Sequence, residues 1–284
     1  MKVFLTQLRP YGHDFGKNLD LIKRQIDKAR LEFSSEDILL LPELFGCDSD
    51  KTLYENSVSE LARNLPLHLV SGSHHEERGS GRVNCGFVVD PTGEILSRYE
   101  KLRPYGIESK LGVVPGKLAG QFDIDGCRVL VLICADFWYS EVFLSQLNPR
   151  PDLILVPTFS ISSRAAPLAA RSLWRSMAVS RAYEFSAYVG ISDWAYPCQY
   201  HALKSSSVAG LADPRPRHHD GFFSELGRSP IQGFAIDIPR IRALRQHRSN
   251  HAFLSDETLT GNFSNASKPD ATRKKRRPGN QRGA

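Results

Sequence analysis

Apolar residues recur along this chain with two spacings, and the changes between them mark out its elements. Residues 2–8 and 37–41 carry the alternating or continuous apolar runs of strands, the second stopped by Pro42. Between them, across 16–33, Leu19, Ile22, Ile26, Ala29 and Phe33 fall on one face of a helix. The same reading predicts a helix at 53–64 and strands at 67–72, 83–89 and 94–99, the last two flanking the turn Asp90-Pro91-Thr92-Gly93. Strands at 120–124, 127–133 and 152–156 follow, with a helix at 139–147. A long helix at 166–185, strands at 187–192, 205–211 and 230–238, and a short helix at 239–247 complete the pattern. Pro239 opens that last helix, where a missing N–H is harmless. Residues 101–116 and 212–229 read as loops, and so does the polar run His74-His75-Glu76-Glu77. Early β–α alternation followed by hairpins predicts an α/β (α+β) chain on mixed sheet.

Three strand ends carry candidate chemistry. The run at 38–41 delivers Pro42-Glu43, the strand at 94–99 delivers Glu100-Lys101, and Val129-Leu130-Val131-Leu132-Ile133 delivers Cys134. Open α/β sheets place their ligands at such carboxyl ends. Singly, each residue has an ordinary reading: a cysteine in an apolar run packs as a core residue, a glutamate starts a helix, a lysine is a solvated charge. Jointly they divide a reaction among themselves. A glutamate can take a thiol proton, a lysine can hold negative charge on a carbonyl oxygen, and a cysteine can attack. A helix starting after Cys134 would favour its thiolate. Phe137, Trp138, Tyr139, Thr158 and Phe159 are candidate pocket walls, with core packing as the alternative.

In this order and spacing the motifs resemble those of the nitrilase superfamily of carbon–nitrogen hydrolases. The matching positions are Pro42-Glu43, Tyr99-Glu100-Lys101-Leu102, Cys134-Ala135-Asp136 with Glu141, and Trp174 with Arg181-Ala182 and Glu184. Glu108 stands where a second glutamate often follows the lysine. The resemblance spans about 2–248 and implies a four-layer α-β-β-α sandwich with two mixed β-sheets. It also implies the triad Glu43, Lys101 and Cys134, an oxyanion held by Lys101 and the Ala135 backbone N–H, and Glu108 as a substrate-positioning residue that poises Lys101. The implied reaction cleaves a small linear amide through a cysteine thioester and releases ammonia or an amine. Nitriles, N-carbamoyl compounds and acyl transfer are the alternatives. No cofactor or metal is implied. Relatives pair through surfaces bearing the helix after the cysteine and the long later helix, so a homodimer or higher homo-oligomer is expected. Four positions depart from the pattern: Arg103 where histidine is frequent, Trp138 where arginine is, Ser140 where proline is, and Leu173 where amide-cleaving relatives often carry histidine.

Composition narrows the remaining choices. With 41% hydrophobic and 24% charged residues the chain is an ordinary globular sequence. No apolar stretch approaches the ~20 residues of a membrane span, and the N-terminal run is too short for a signal peptide. Five cysteines (Cys47, Cys85, Cys127, Cys134, Cys198) without a CxxC pair point to reduced thiols, a cytoplasmic setting and no zinc site. The adjacent His218 and His219 diverge in an extended loop and read as solvated. The net charge of +6 has one source: residues 265–284 hold seven bases and one acid, and the remainder is balanced. A hydrolase domain is therefore expected over 1–262 and a basic, disordered tail over 263–284. A non-catalytic scaffold binding nucleic acid through that tail is the competing class.

Overall fold

The computed structural model describes residues 1–146, 149–162 and 167–254. The expected tail lies outside them, as do the last residue of the helix read at 139–147 and the first of that read at 166–185. The elements, in order, are β1 (Lys2–Leu8), α1 (Phe15–Ala29), β2 (Ile38–Leu40), α2 (Lys51–Asn64), β3 (His68–Val70), β4 (His74–Arg78), β5 (Gly81–Val89), β6 (Ile95–Glu100) and α3 (Ile107–Lys110). There follow β7 (Gly120–Ile124), β8 (Cys127–Val131), a 3₁₀ turn (Cys134–Trp138), α4 (Ser140–Ser145), β9 (Leu153–Pro157), β10 (Ile161–Ser162) and α5 (Leu168–Phe185). The chain continues through β11 (Tyr188–Trp194), β12 (Gln199–Tyr200), β13 (Leu203–Ser205), β14 (Gly210–Ala212), β15 (Phe223–Glu225), β16 (Ile231–Ala235) and α6 (Ile238–Asn250).

Strand alternation builds the four layers. Val3 and Leu5 of β1, Ile38 and Leu40 of β2, and Val88 of β5 face Val129, Val131, Leu153 and Leu155 of β8 and β9 in the layer between the sheets. Phe4, Leu39, Leu69 and Phe87 point the other way, onto Ile22 and Ile26 of α1 and Tyr54, Val58 and Leu61 of α2. On the opposite side Leu130, Ile154, Val156 and Val189 pack against Trp174, Ala178 and Ala182 of α5. A period of two therefore gives each buried strand two apolar faces, one for its own helices and one for the other sheet.

One half of the sheet runs β4-β5-β3-β2-β1, with β6 on β5 and β16 on β1; the other runs β11-β9-β8-β7, with β14 and β15 beyond β11. Both halves are mixed: β1, β2 and β3 are parallel neighbours, as are β8, β9 and β11, whereas the hairpins are antiparallel. The halves are joined where Gln7 and Leu8 of β1 pair with Asp193 and Trp194 of β11. No described helix is long and apolar enough to cross a membrane.

Several local readings change, among them the loop read at 101–116, which contains the short helix α3. Residues 74–78 form a strand and not a loop, because their backbone pairs with β5 from His74 opposite Cys85 to Arg78 opposite Gly81. The first helix ends at Ala29, which is exposed, with Arg30 in the left-handed region as its cap; Phe33 reaches the core from the loop beyond. The run at 205–211 divides between β13 and β14, which join different neighbours. Within the loop read at 212–229, residues 223–225 add a strand to β14.

Candidate active site

Glu43 leaves β2 through a tight bend in which Leu44 has φ +56° and donates its N–H to Ser73 Oγ at 2.9 Å. The Glu43 carbonyl accepts from Trp194 Nε1 at 2.7 Å, which fixes the backbone from the far side. Its carboxylate accepts from Lys101 Nζ at 2.6 Å, Asn84 Nδ2 at 3.0 Å and the Phe159 N–H at 2.8 Å. Lys101 follows β6 and donates its own N–H to the Asn84 carbonyl at 2.8 Å. Its ammonium also donates to Glu108 Oε2 at 2.5 Å. Glu108, on α3, further accepts from the Tyr105 N–H at 3.0 Å and from Asn84 Nδ2 at 2.9 Å. Glu43, Lys101 and Glu108 are each about 95% buried or more.

This arrangement drives the two carboxyls apart. Burial pushes Glu43 up, helped by the charge of Glu108, and its lysine and amide partners do not fully offset that. Burial also opposes ionisation of Glu108, but Lys101, the Tyr105 N–H and Asn84 together hold it below its ordinary value. Lys101, despite its burial, is held charged well above the usual range by the two carboxylates. One carboxyl is thus suited to moving a proton and the other to remaining an anion, the pattern by which acid–base roles separate.

Cys134 follows β8 with φ +46°, a left-handed conformation uncommon for a residue with a side chain. The bend turns its side chain out of the strand register. The Thr158 hydroxyl donates to Sγ at 3.0 Å. Burial and the nearby Glu43 charge push the thiol well up, against the pull of Lys101. The helix expected to favour a thiolate is a short 3₁₀ turn, not an α-helix, and burial works against ionisation of the thiol.

The segment after Lys101 is tied to the turn after Cys134 by Asp136, whose carboxylate accepts from the Leu102 N–H at 3.0 Å and the Arg103 N–H at 2.7 Å. Burial pushes that carboxyl up to about 6, against the two backbone donors. The exit loop of β9 is held by Asp193, fully buried, which accepts from the Ser160 and Val208 N–H groups at 3.1 and 2.9 Å and from the Ser205 hydroxyl at 3.2 Å.

A cavity of about 500 Å³ opens above Cys134, lined by Ala135, Trp138, Tyr139 and Phe159 of the expected set. Tyr105, Ile161, Leu173 and Trp174 join them, and none of its described lining residues is charged. Two expected wall residues lie elsewhere. Phe137 is fully buried under α5, its ring parallel to Trp174 at 5.8 Å, because the 3₁₀ turn rotates it inward. Thr158 is fully buried beneath the cysteine and touches its sulfur instead of the cavity. The departing positions are all occupied productively. Trp138 packs edge-on to Trp174 at 5.1 Å, Ser140 Oγ accepts from Arg181 Nη2 at 2.9 Å, Arg103 pairs with Glu141 at 3.2 Å, and Leu173 forms part of the cavity rim. Asn84 and Asp193 were missed by sequence reasoning. Their one signal is a polar residue within an otherwise apolar strand.

A model of the carbon-nitrogen hydrolase family matches residues 2–211. The 2-oxoglutaramate amidase of Bacillus subtilis (strain 168) is 24% identical over 187 residues, 62% of this chain and 70% of that protein. Omega-amidase NIT2 of Homo sapiens is 27% identical over 146 residues, covering 46% of this chain and 49% of its own length, so the match spans about half of that relative. Among solved structures, Nit3 of Saccharomyces cerevisiae superposes with a TM-score of 0.70 at 20% identity, covering 87% of this chain and 93% of that one. An amidase from Nesterenkonia sp. AN1 superposes at 0.65 and 22% identity, covering 88% and 99%. Both share the layered fold described above, and with the family match covering most of the chain, the protein belongs to the carbon-nitrogen hydrolases of the nitrilase superfamily.

Proposed function

We propose that this chain hydrolyses the C–N bond of a small linear amide with a neutral, largely apolar acyl group, using Cys134 as nucleophile, Glu43 as general base and acid, and Lys101 as oxyanion partner. The observation that carries the reading is the Lys101 ammonium held between two carboxylates of opposite tendency, Glu43 raised and Glu108 lowered. Glu43 takes the Cys134 proton as sulfur attacks the carbonyl carbon. The oxyanion is held by Lys101 and the Ala135 N–H. Collapse breaks the C–N bond while Glu43 returns the proton to the departing nitrogen, leaving an S-acyl thioester. Water, deprotonated by Glu43, then attacks that thioester, and the thiol regains its proton on release of the acid. Glu108 remains an anion and fixes the position of Lys101.

The cavity supports the choice of acyl group. The two amidase relatives are named for 2-oxoglutaramate and for ω-amides, and a 2-oxoglutaramate chain ends in a carboxylate. The described walls offer mostly aromatic and aliphatic surface with the hydroxyls of Ser160 and Ser162, and none of these residues is a cation to pair with such a group. The domain assignment at 1–262, a cytoplasmic setting and self-association belong to the same reading. Ammonia release measured across neutral aliphatic and aryl amides, 2-oxoglutaramate, N-carbamoyl amino acids and nitriles tests it, with Cys134→Ala as control. Carbon dioxide release would mark a carbamoyl substrate instead. Turnover of neutral amides that survives Cys134→Ala would remove the nucleophile assignment, and a preference for 2-oxoglutaramate would remove the apolar one.

A further inference from the structure

A second polar cluster lies on the α2 side of β4 and β5, behind the strand face that carries Asn84. His74 and Glu76 are two residues apart on β4 and so share a face. Cys85 stands directly opposite His74 on β5. A ring nitrogen of His74, the Cys85 sulfur and a Glu76 carboxylate oxygen all lie within 4.8 Å of one another. His74 is 2% exposed and Cys85 7%. His74 Nδ1 is buried without a hydrogen-bond partner. A buried ring nitrogen without a partner costs free energy unless something satisfies it. An imidazole nitrogen held inside the protein without a partner is available as a metal ligand.

We propose that the His74 imidazole, Cys85 Sγ and the Glu76 carboxylate form a binding site for a divalent cation of the zinc type. The donor set of imidazole, thiolate and one carboxylate suits zinc and leaves a fourth tetrahedral position for water. Zinc at about 2.0–2.3 Å from each ligand keeps ligand atoms roughly 3.5 Å apart, so the cluster needs only a small closure. On binding, the Cys85 S–H bond breaks, a sulfur–metal bond forms and the proton passes to solvent. Metal affinity at this site therefore falls as pH falls. Lys51 and Arg78 now pair with Glu76 at 3.2 and 3.4 Å; both are about half exposed and have water to turn into. The cation would clamp β4 to β5 and brace the strand that carries Asn84, a structural role separate from the reaction. Cysteine spacing along the sequence argued against zinc; cross-strand pairing supplies the missing proximity.

The test uses untagged protein carrying Cys134→Ala, so that the nucleophile cannot compete, freed of metal by chelation and titrated with Co²⁺ and then Zn²⁺. One equivalent of Co²⁺ should give a near-ultraviolet thiolate-to-cobalt band, and Zn²⁺ should displace it and raise Tm by several degrees. Cys85→Ser should abolish the band. Thermal melts without metal come first, to separate folding from binding. Glu76→Gln, a partly exposed edge-strand position, is the variant chosen to leave the fold intact, and it should weaken Zn²⁺ binding about tenfold or more. Absence of the band, its survival in Cys85→Ser, or unchanged Zn²⁺ affinity in Glu76→Gln would each overturn the proposal.

Discussion

Asn84 is the residue on which the balance of the site turns. Its one amide nitrogen donates to Glu43 at 3.0 Å and to Glu108 at 2.9 Å, and it is fully buried. Both bonds favour the ionised carboxylates, so removing them raises both pKa values. Asn84→Ala should therefore move the acid limb of the kcat/KM–pH profile upward by about one unit and lower kcat/KM roughly 10–100-fold. A profile of unchanged shape would show that Asn84 serves packing alone. Asp136 carries a second prediction, now of stability. Its folded carboxyl, near 6, lies above its unfolded value, so the protonated form favours the fold. That contribution is complete below about pH 4 and is lost as pH rises through about 6. Asp136→Asn has no such titration. Relative to the variant, the parent should lose on the order of 2–3 kcal/mol of unfolding free energy between pH 4 and pH 7 in urea titrations. A constant difference would contradict the assignment. Turnover should also fall, because an amide NH₂ would face either the Leu102 or the Arg103 N–H.

At the scale of elements, what could be read from sequence follows from how each element is stabilised. Strand β8 was legible as a continuous apolar run, and the hairpin of β5 and β6 from the turn Asp90-Pro91-Thr92-Gly93 between them. The strand β4, His74-His75-Glu76-Glu77-Arg78, has no such pattern; pairing with β5 alone makes it a strand. The strand β11 was cut short at Ser192 because Asp193 looks like a turn residue, yet it is buried and accepts from the backbone of two loops. Glu43, Lys101 and Cys134 were legible as strand-end residues, whereas Asn84, in mid-strand, was not. The helix α6 shows the same limit. Ile241 and Leu244 are buried, but the helix is also fastened by Arg242 and Arg245, which reach the fully buried Asp152 at 2.7 and 3.1 Å. Asp152→Ala would leave Arg245 inside without its counter-charge. It should cost about 3 kcal/mol in urea unfolding, with early loss of amide-exchange protection in α6. A loss confined to a few tenths would mean that the apolar contacts alone dock this helix.

For the molecule as a whole, the four layers leave one side underused. The helices α4 and α5 cover their sheet with one face, and elsewhere on them Leu144, Leu168 and Leu173 are 46%, 67% and 53% exposed. Single exposed apolar residues are ordinary, and a contiguous group of them would suit the self-association proposed above. The two helices are already held as one unit, since Arg181 of α5 bonds Ser140 at the start of α4 and lies over the Phe143 ring at 4.9 Å. Leu173 also stands at the cavity rim, so a second copy seated here would shelter the cavity from water. Self-association through this face should therefore appear as a dimer by light scattering, with specific activity falling on dilution. Leu144→Glu with Leu168→Glu, neither lining the cavity, places two charges where burial would cost each of them dearly. That double variant should be monomeric and show a raised KM, with its melting temperature little changed at high dilution, where the parent has also dissociated. Should it remain dimeric, the interface lies elsewhere, and the exposed leucines of α5 serve the cavity mouth alone.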